Sequence, residues 1–78
     1  MLESNIQKKI IQRYKDEGWI VVKLIKTNTN GIPDLMCLKN NETISIEVKR
    51  PGGKLSELQK HRIKQLKNEQ FKVLVLYE

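Results

Sequence analysis

PDLMCLKNNETISIEVK, residues 33–49, decides the fold of this chain. Two runs rich in apolar and β-branched residues flank the asparagines at 40 and 41, and asparagine tolerates the positive φ that a tight hairpin turn requires. In the second run, apolar Ile44, Ile46 and Val48 alternate with polar residues, as in a strand with one buried face. The stretch therefore predicts a β-hairpin whose turn lies at residues 40–41.

The position of this turn fixes the register of the hairpin. With the turn centred between residues 40 and 41, Leu35 faces Ile46 and, one position earlier, Asp34 faces Glu47. Residues directly opposite each other in an antiparallel pair share a face of the sheet, with Cβ atoms about 5 Å apart. The register therefore brings two carboxylates together, with Lys49 two positions further along on the same side.

The acidic pair has two interpretations. Like charges that face each other destabilise a sheet, so the pair requires a compensating cation. Lys49 can be that cation in a purely structural salt bridge. A divalent cation such as Mg²⁺ can replace it, because hard cations take carboxylates, waters and phosphate oxygens as ligands. The Lys49 ammonium would then be free to orient a water molecule or to neutralise charge on a phosphoryl group.

The segments around the hairpin predict an α/β fold with the element order αβββαβ. Helical spacing, β-branched content and a capping box define the flanking elements. This order is typical of a small mixed sheet flanked by helices. A chain of 78 residues is expected to form a single domain over residues 1–78. The expected flanking elements are a helix over 3–17, a strand over 19–25, a helix from the Ser56 cap to about residue 68, and a strand over 71–77.

Composition narrows the function. The chain has 15 Lys and Arg against 9 Asp and Glu, a net charge of +6 spread along its length, which favours an anionic partner. A single cysteine and a single histidine exclude an internal disulfide and a Cys/His zinc site. The longest apolar run of the chain, residues 73–77, is too short to cross a bilayer, and no signal-peptide pattern is present. We therefore expect a cytoplasmic protein without membrane contact.

Several lysines are candidates for phosphate contacts. Lys60, Lys64 and Lys67 follow one stripe of the second predicted helix, which is typical of a solvated face but also suits phosphate contacts. Lys54 lies beside a diglycine and close to the acidic pair, and it is the better phosphate candidate. Gln59 lies on another side of the same helix, the side that should face the sheet, and the spacing also allows it to be a helix cap.

GIPDL at residues 31–35, followed by IEVKRPGGKLS at residues 46–56 and by Gln59, resembles the VRR-NUC family. This family is a branch of the PD-(D/E)xK nuclease superfamily, and the likeness is to its stand-alone, single-domain type as found in phage-like proteins. The resemblance covers essentially the whole chain. It implies a restriction-endonuclease-like core, in which Asp34, Glu47 and the Val48 backbone carbonyl bind metal and Lys49 is the catalytic lysine.

The same resemblance implies supporting roles for two further residues. Glu3 matches an acidic residue near the start of the first helix, with a role at the metal that includes contact through water. Ser4 and Gln7 could instead form a capping box that leaves Glu3 outside the helix. The glutamine at 59 also belongs to the family pattern, which implies that it positions water or a ligand at the catalytic site.

The resemblance implies an endonuclease that hydrolyses DNA phosphodiesters with Mg²⁺ or Mn²⁺. Selectivity for branched DNA, such as four-way (Holliday) junctions, and action as a homodimer are expected from the single-domain relatives. Two other interpretations stay open. One is a basic nucleic-acid-binding module that does not cleave, and the other is a nuclease that is active only when a partner such as a helicase recruits it.

Overall fold

The predicted hairpin is present in the computed structural model, which describes residues 2–78. Asn40 and Asn41 have φ values of 47° and 67°, the left-handed conformations that a two-residue hairpin turn requires. Leu35 pairs with Ile46, as the turn position predicts. The predicted register is therefore confirmed.

Residues 2–78 form two helices and four strands, in the predicted order αβββαβ. Met1, the first residue of the expected domain, lies outside the described residues. Within residues 2–78, no helix has the length and apolar character that crossing a membrane requires. The elements are α1 (Glu3–Asp16), β1 (Ile20–Lys23), β2 (Leu35–Lys39), β3 (Glu42–Lys49), α2 (Glu57–Asn68) and β4 (Lys72–Tyr77).

The four strands form one mixed sheet in the order β1-β2-β3-β4. The pairs β1–β2 and β2–β3 are antiparallel, while β3 and β4 are parallel. Parallel neighbours need a crossover, and α2 supplies it. The α/β class and the small mixed sheet flanked by helices are thus confirmed.

The main core lies between α1 and one face of the sheet. Ile6 and Ile10 of α1 are buried against Leu35, Ile46 and Val48 of the hairpin. Because side chains alternate along a strand, Glu47 and Lys49 point to the opposite face. On that face α2 packs against β4, so the acidic residue is covered by a helix instead of facing water.

The first strand is shorter than its β-branched content predicts. It ends at Lys23 instead of residue 25, and the Leu24 amide then donates to the backbone carbonyl of Asp34 at 2.8 Å. The side chain of Ile25 is 85% exposed. Residues 24–34 therefore form a long loop that connects β1 to β2 and ends at the predicted metal ligand.

Candidate active site

Asp34 is held at the start of β2 by hydrogen bonds at its backbone and at its side chain. Its carbonyl accepts from Leu24, and its carboxylate Oδ2 accepts from the backbone amide of Val48 at 2.9 Å. Val48 is the residue between Glu47 and Lys49 on β3. The hairpin therefore fixes the Asp34 carboxylate against the strand segment that carries the other predicted site residues.

Glu47 is buried, with 2% of its surface exposed. Its Oε2 lies 4.0 Å from the ammonium of Lys49 and 3.5 Å from the amide nitrogen of Gln59, both at the outer limit of such contacts. Its other oxygen, Oε1, is buried and has no hydrogen-bond partner. A buried carboxylate with an unpartnered oxygen is costly, so this site is suited to an additional positive ligand.

The environment of Glu47 favours its neutral form when no cation is bound. Burial is the largest cause, and Asp34 acts in the same direction, through the hydrogen bond that a protonated Glu47 would donate to it and through its negative charge, raising the pKa of Glu47 to about 8. The positive charge of Lys49 lowers this pKa but does not offset the other effects. A structural salt bridge with Lys49 is therefore an incomplete explanation of the acidic pair.

Gln59 has both of the roles that its sequence position allows. Its side-chain Oε1 accepts from the backbone amide of Ser56 at 2.9 Å, and its backbone amide donates to the Ser56 hydroxyl at 3.1 Å, which completes the capping box of α2. The remaining Nε2 group is directed at Glu47. The cap therefore fixes the side chain that connects α2 to the acidic pair.

Glu3 is the first residue of α1 and is half-buried. Leu2 is the N-cap and has no side-chain capping bond, so the alternative with Glu3 outside the helix is wrong. The negative charge of Glu3 also raises the pKa of Glu47, but it is the weakest of the causes. One turn later, the buried Oε1 of Gln7 also lacks a hydrogen-bond partner.

The acidic residues near Glu47 do not form a complete metal cage by themselves. In the described part of the chain, no three Asp, Glu, His or Cys side chains come together in an arrangement that could hold a metal ion. The set expected for the site is smaller, consisting of Asp34, Glu47 and the Val48 carbonyl. Mg²⁺ keeps several water ligands when it binds through one or two carboxylates, so a small set is sufficient for it.

The four candidate DNA-binding lysines lie around α2 and are exposed. Lys60 forms an exposed ion pair with Glu57 at 3.3 Å, which reduces its availability to phosphate. Lys64 and Lys67 border a groove between α2 and β4. Lys54 lies in the loop that follows β3, as expected. The structure places these side chains on the surface around the helix and does not gather them at Glu47.

Two glycines contribute to the site in ways that sequence reasoning did not assign. A Cβ on Gly53 would lie 3.5 Å from the Lys49 Cβ and 3.0 Å from the Arg50 carbonyl, so the loop packs closely beside the lysine. Gly31 has a φ of 81°, and a Cβ there would lie 2.8 Å from Leu58 of α2. The diglycine in the sequence is a usable signal for the first contact, but the second depends on packing against a distant helix.

Comparison with known proteins gives consistent results. The family model described as "VRR-NUC domain" matches residues 2–77. A solved structure titled "VRR_NUC domain" superposes with a TM-score of 0.88 at 26% sequence identity, and the alignment covers 97% of this chain and 84% of that chain. None of the curated proteins compared with the chain matches it.

Proposed function

Since the chain belongs to the VRR-NUC family and is thereby a nuclease of the PD-(D/E)xK type, we propose that it is a metal-dependent DNA endonuclease selective for branched DNA. The observation that carries this proposal is the buried Glu47 carboxyl, which lies beside Asp34 and has one unpartnered oxygen. The proposed unit is one nuclease domain over residues 1–78, and a cytoplasmic location stays a prediction.

The donor atoms at the site fit a hard divalent cation. Asp34 and Glu47 provide carboxylate oxygens, and the Val48 carbonyl is the proposed backbone donor. An unpartnered, buried Glu47 oxygen is the kind of atom that Mg²⁺ or Mn²⁺ satisfies. A bound cation would neutralise charge on the phosphate and lower the pKa of a bound water. In this proposal Glu3 supports the cation through water.

Lys49 is the proposed catalytic lysine. Its side chain is 14% exposed and is held on the face of β3 that carries Glu47, so its ammonium is directed at the place where a phosphate would meet the acidic pair. There it donates hydrogen bonds to the attacking water or to the phosphoryl oxygens as negative charge develops. Hydrolysis that breaks the bond between phosphorus and the 3′ oxygen leaves a 5′-phosphate and a 3′-hydroxyl. Gln59 orients Glu47 through Nε2.

The basic surface supports DNA as the substrate. A net charge of +6 and the exposed Lys54, Lys64 and Lys67 suit phosphate contacts along α2. Lys60 is a weaker member of this set because Glu57 pairs with it. Contacts of this kind position DNA without reading its sequence, so we expect recognition to depend on DNA shape. The intact Asp34, Glu47 and Lys49 trio argues against a binding module that does not cleave.

An apolar strip on the sheet supports a homodimer. Ile20 and Val22 of the edge strand β1 are 65% and 36% exposed and pair with Leu38 and Met36. They lie on the face that carries Glu47, but α2 packs at the opposite edge, against β4. A second copy related by a twofold axis could cover this strip, and two sites related in this way would match the symmetry of a four-way junction.

The proposal is tested with purified protein on linear, flapped and four-way DNA of one sequence, with Mg²⁺, with Mn²⁺ or with EDTA. We expect metal-dependent cleavage that favours the four-way substrate. Lys49→Ala should abolish cleavage but retain DNA binding, because the ammonium acts mainly in the transition state. Lys8→Ala, an exposed change on α1, is the control for lost charge. Equal cleavage by Lys49→Ala would refute the assignment.

Light scattering at micromolar concentration tests the dimer separately. We expect a twofold mass for the unaltered protein and a monomer for Val22→Lys, which places a charge on the apolar strip. A monomeric protein that cuts linear and four-way DNA equally would contradict both the dimer and the junction preference. Cleavage that appears only after addition of a helicase would favour the recruited nuclease instead.

A further inference from the structure

The loop between β1 and β2 lines a cleft that reaches Asp34 of the candidate site. This cleft has a volume of about 300 Å³ and ends at Asp34. The residues that line it include Ile25, Thr27, Thr29 and Asn30. A volume of this size is at the lower end of the range for small-molecule sites, so the cleft has room for one nucleotide but not for a stacked base pair.

The cleft is formed before any ligand binds, because its loop is anchored to α2. The Arg62 guanidinium donates to the Asn30 carbonyl at 2.7 Å, and Gly31 packs directly on Leu58. Within the loop, the Thr27 hydroxyl donates to the Thr29 carbonyl at 2.7 Å. The anchoring helix also carries Gln59, so the cleft and the acidic pair are held by one element. A preformed site of this kind loses less entropy on binding.

The chemistry of the walls suits a nucleobase that has left the stack. Thr29 and Asn30 offer hydroxyl and amide groups, which can bond the edge of a base that is no longer paired. Among the lining residues, Ile25 is 85% exposed, the largest exposed fraction of the exposed large hydrophobic side chains in residues 2–78. Apolar side chains inserted between bases stabilise an unstacked step by filling the space that the base leaves.

We propose that this cleft receives one unstacked nucleotide adjacent to the scissile phosphate, and that Ile25 fills the gap left in the stack. The inference rests on the proposed DNA cleavage, since the cleft ends at Asp34. An unstacked nucleotide in this cleft would be a second reason for a preference for branched DNA, in addition to the twofold symmetry of a dimer. A base beside a junction, flap or mismatch leaves the stack more easily than one inside a duplex, so such DNA is preferred.

The test uses the adenine analogue 2-aminopurine, whose fluorescence rises when it leaves the stack. The cleavage position is first mapped on a four-way junction with unaltered protein and Mg²⁺. The analogue is then placed at each position flanking the cut, and the DNA is bound to Lys49→Ala protein so that it stays intact. We expect a several-fold rise in fluorescence at one flanking position and no rise two or more nucleotides away.

The variant Ile25→Ser, added to the same protein, identifies the side chain responsible. It should lose most of the fluorescence rise and bind the paired junction roughly tenfold more weakly, because the gap in the stack is no longer filled. An abasic site at the responding position should restore its binding. Phe71→Ser, at 47% exposure one residue before β4 begins, is the matched control and should behave like the parent.

Each outcome separates this inference from the proposed function. Metal-dependent cleavage by the unaltered protein, with no fluorescence rise at any flanking position in a complex that gel shift shows to be formed, would overturn the cleft proposal alone. Loss of the rise in both Ile25→Ser and Phe71→Ser would overturn the role of Ile25. Absence of any DNA cleavage by the unaltered protein would overturn both proposals.

Discussion

Glu47→Gln tests why a carboxyl group is buried at this position. The substitution keeps the size of the side chain and an oxygen that can face Gln59, but it removes the titratable charge. In the metal-free protein the pKa of Glu47 is raised from 4.5 to about 8, first by burial and then by Asp34. Each tenfold change in a protonation equilibrium is worth about 1.4 kcal/mol, so ionised Glu47 costs at most roughly 5 kcal/mol.

The pH dependence of this cost has a defined sign. Since the folded-state pKa is above the unfolded value, the folded protein retains a proton that the unfolded chain releases. The contribution of Glu47 to stability is complete below the unfolded pKa of 4.5. This contribution is lost as the pH rises through about 8. Above that pH, the protonation of Glu47 no longer changes the free energy of unfolding. Glu47→Gln has no such loss, so its advantage should grow over the same range.

We expect metal-free Glu47→Gln protein to match the unaltered protein near pH 4 and to be more stable by about 1–3 kcal/mol near pH 9. This gain in stability is smaller than the upper bound given above, because the side-chain amide of the substituted residue also loses its hydration when it is buried. For a domain of this size, each kcal/mol corresponds to about 4–8 °C in Tm. Thermal melts in EDTA measure the difference. Glu42→Gln, an exposed change on the same strand, is the control and should leave Tm unchanged.

Divalent metal should reverse this order. Saturating Mg²⁺ or Mn²⁺ stabilises a protein that binds it only when folded, and the loss of one ligand charge removes most of that effect. The unaltered protein should therefore gain Tm with metal, while Glu47→Gln should gain little and should not cleave DNA. A variant that is less stable than the unaltered protein at high pH in EDTA, or that gains as much from metal, would refute this reasoning.

Further predictions concern the pH, the cap and the hairpin. Calorimetric Mg²⁺ affinity should rise with pH up to about 8, because the cation displaces a proton from the buried glutamate; a flat profile would contradict this. Gln59→Ala and Ser56→Ala should each destabilise the protein by about 1 kcal/mol through loss of the cap. Gln59→Ala should also reduce the cleavage rate more than Ser56→Ala does, and equal cleavage rates in the two variants would contradict a role for Gln59 at the site. One residue inserted between Asn40 and Asn41 should shift the register and separate the acidic pair. The insertion should therefore reduce cleavage more than Cys37→Ala does, even when both variants lose the same Tm. An active insertion variant would argue against that pairing.

The sequence by itself determined the hairpin and which two acidic residues form its pair. Turn chemistry at Asn40 and Asn41 is local, and the two-residue repeat of a strand links that turn to every opposite pair. The register and the shared location of Asp34 and Glu47 therefore required no knowledge of distant packing. The capping box at Ser56 was equally readable, since it involves residues only three positions apart.

Only the tertiary structure decided how deeply Glu47 is buried and how the surrounding loop is shaped. Burial of Glu47 depends on α2 crossing over the sheet, which brings Gln59 within 3.5 Å of its carboxylate. The β-branched residues before the loop predicted a longer β1, but its pairing with β2 stops after the hydrogen bond from Leu24 to Asp34, and Ile25 is left exposed. Such features arise from contacts between segments far apart in the chain, whose geometry no local pattern encodes.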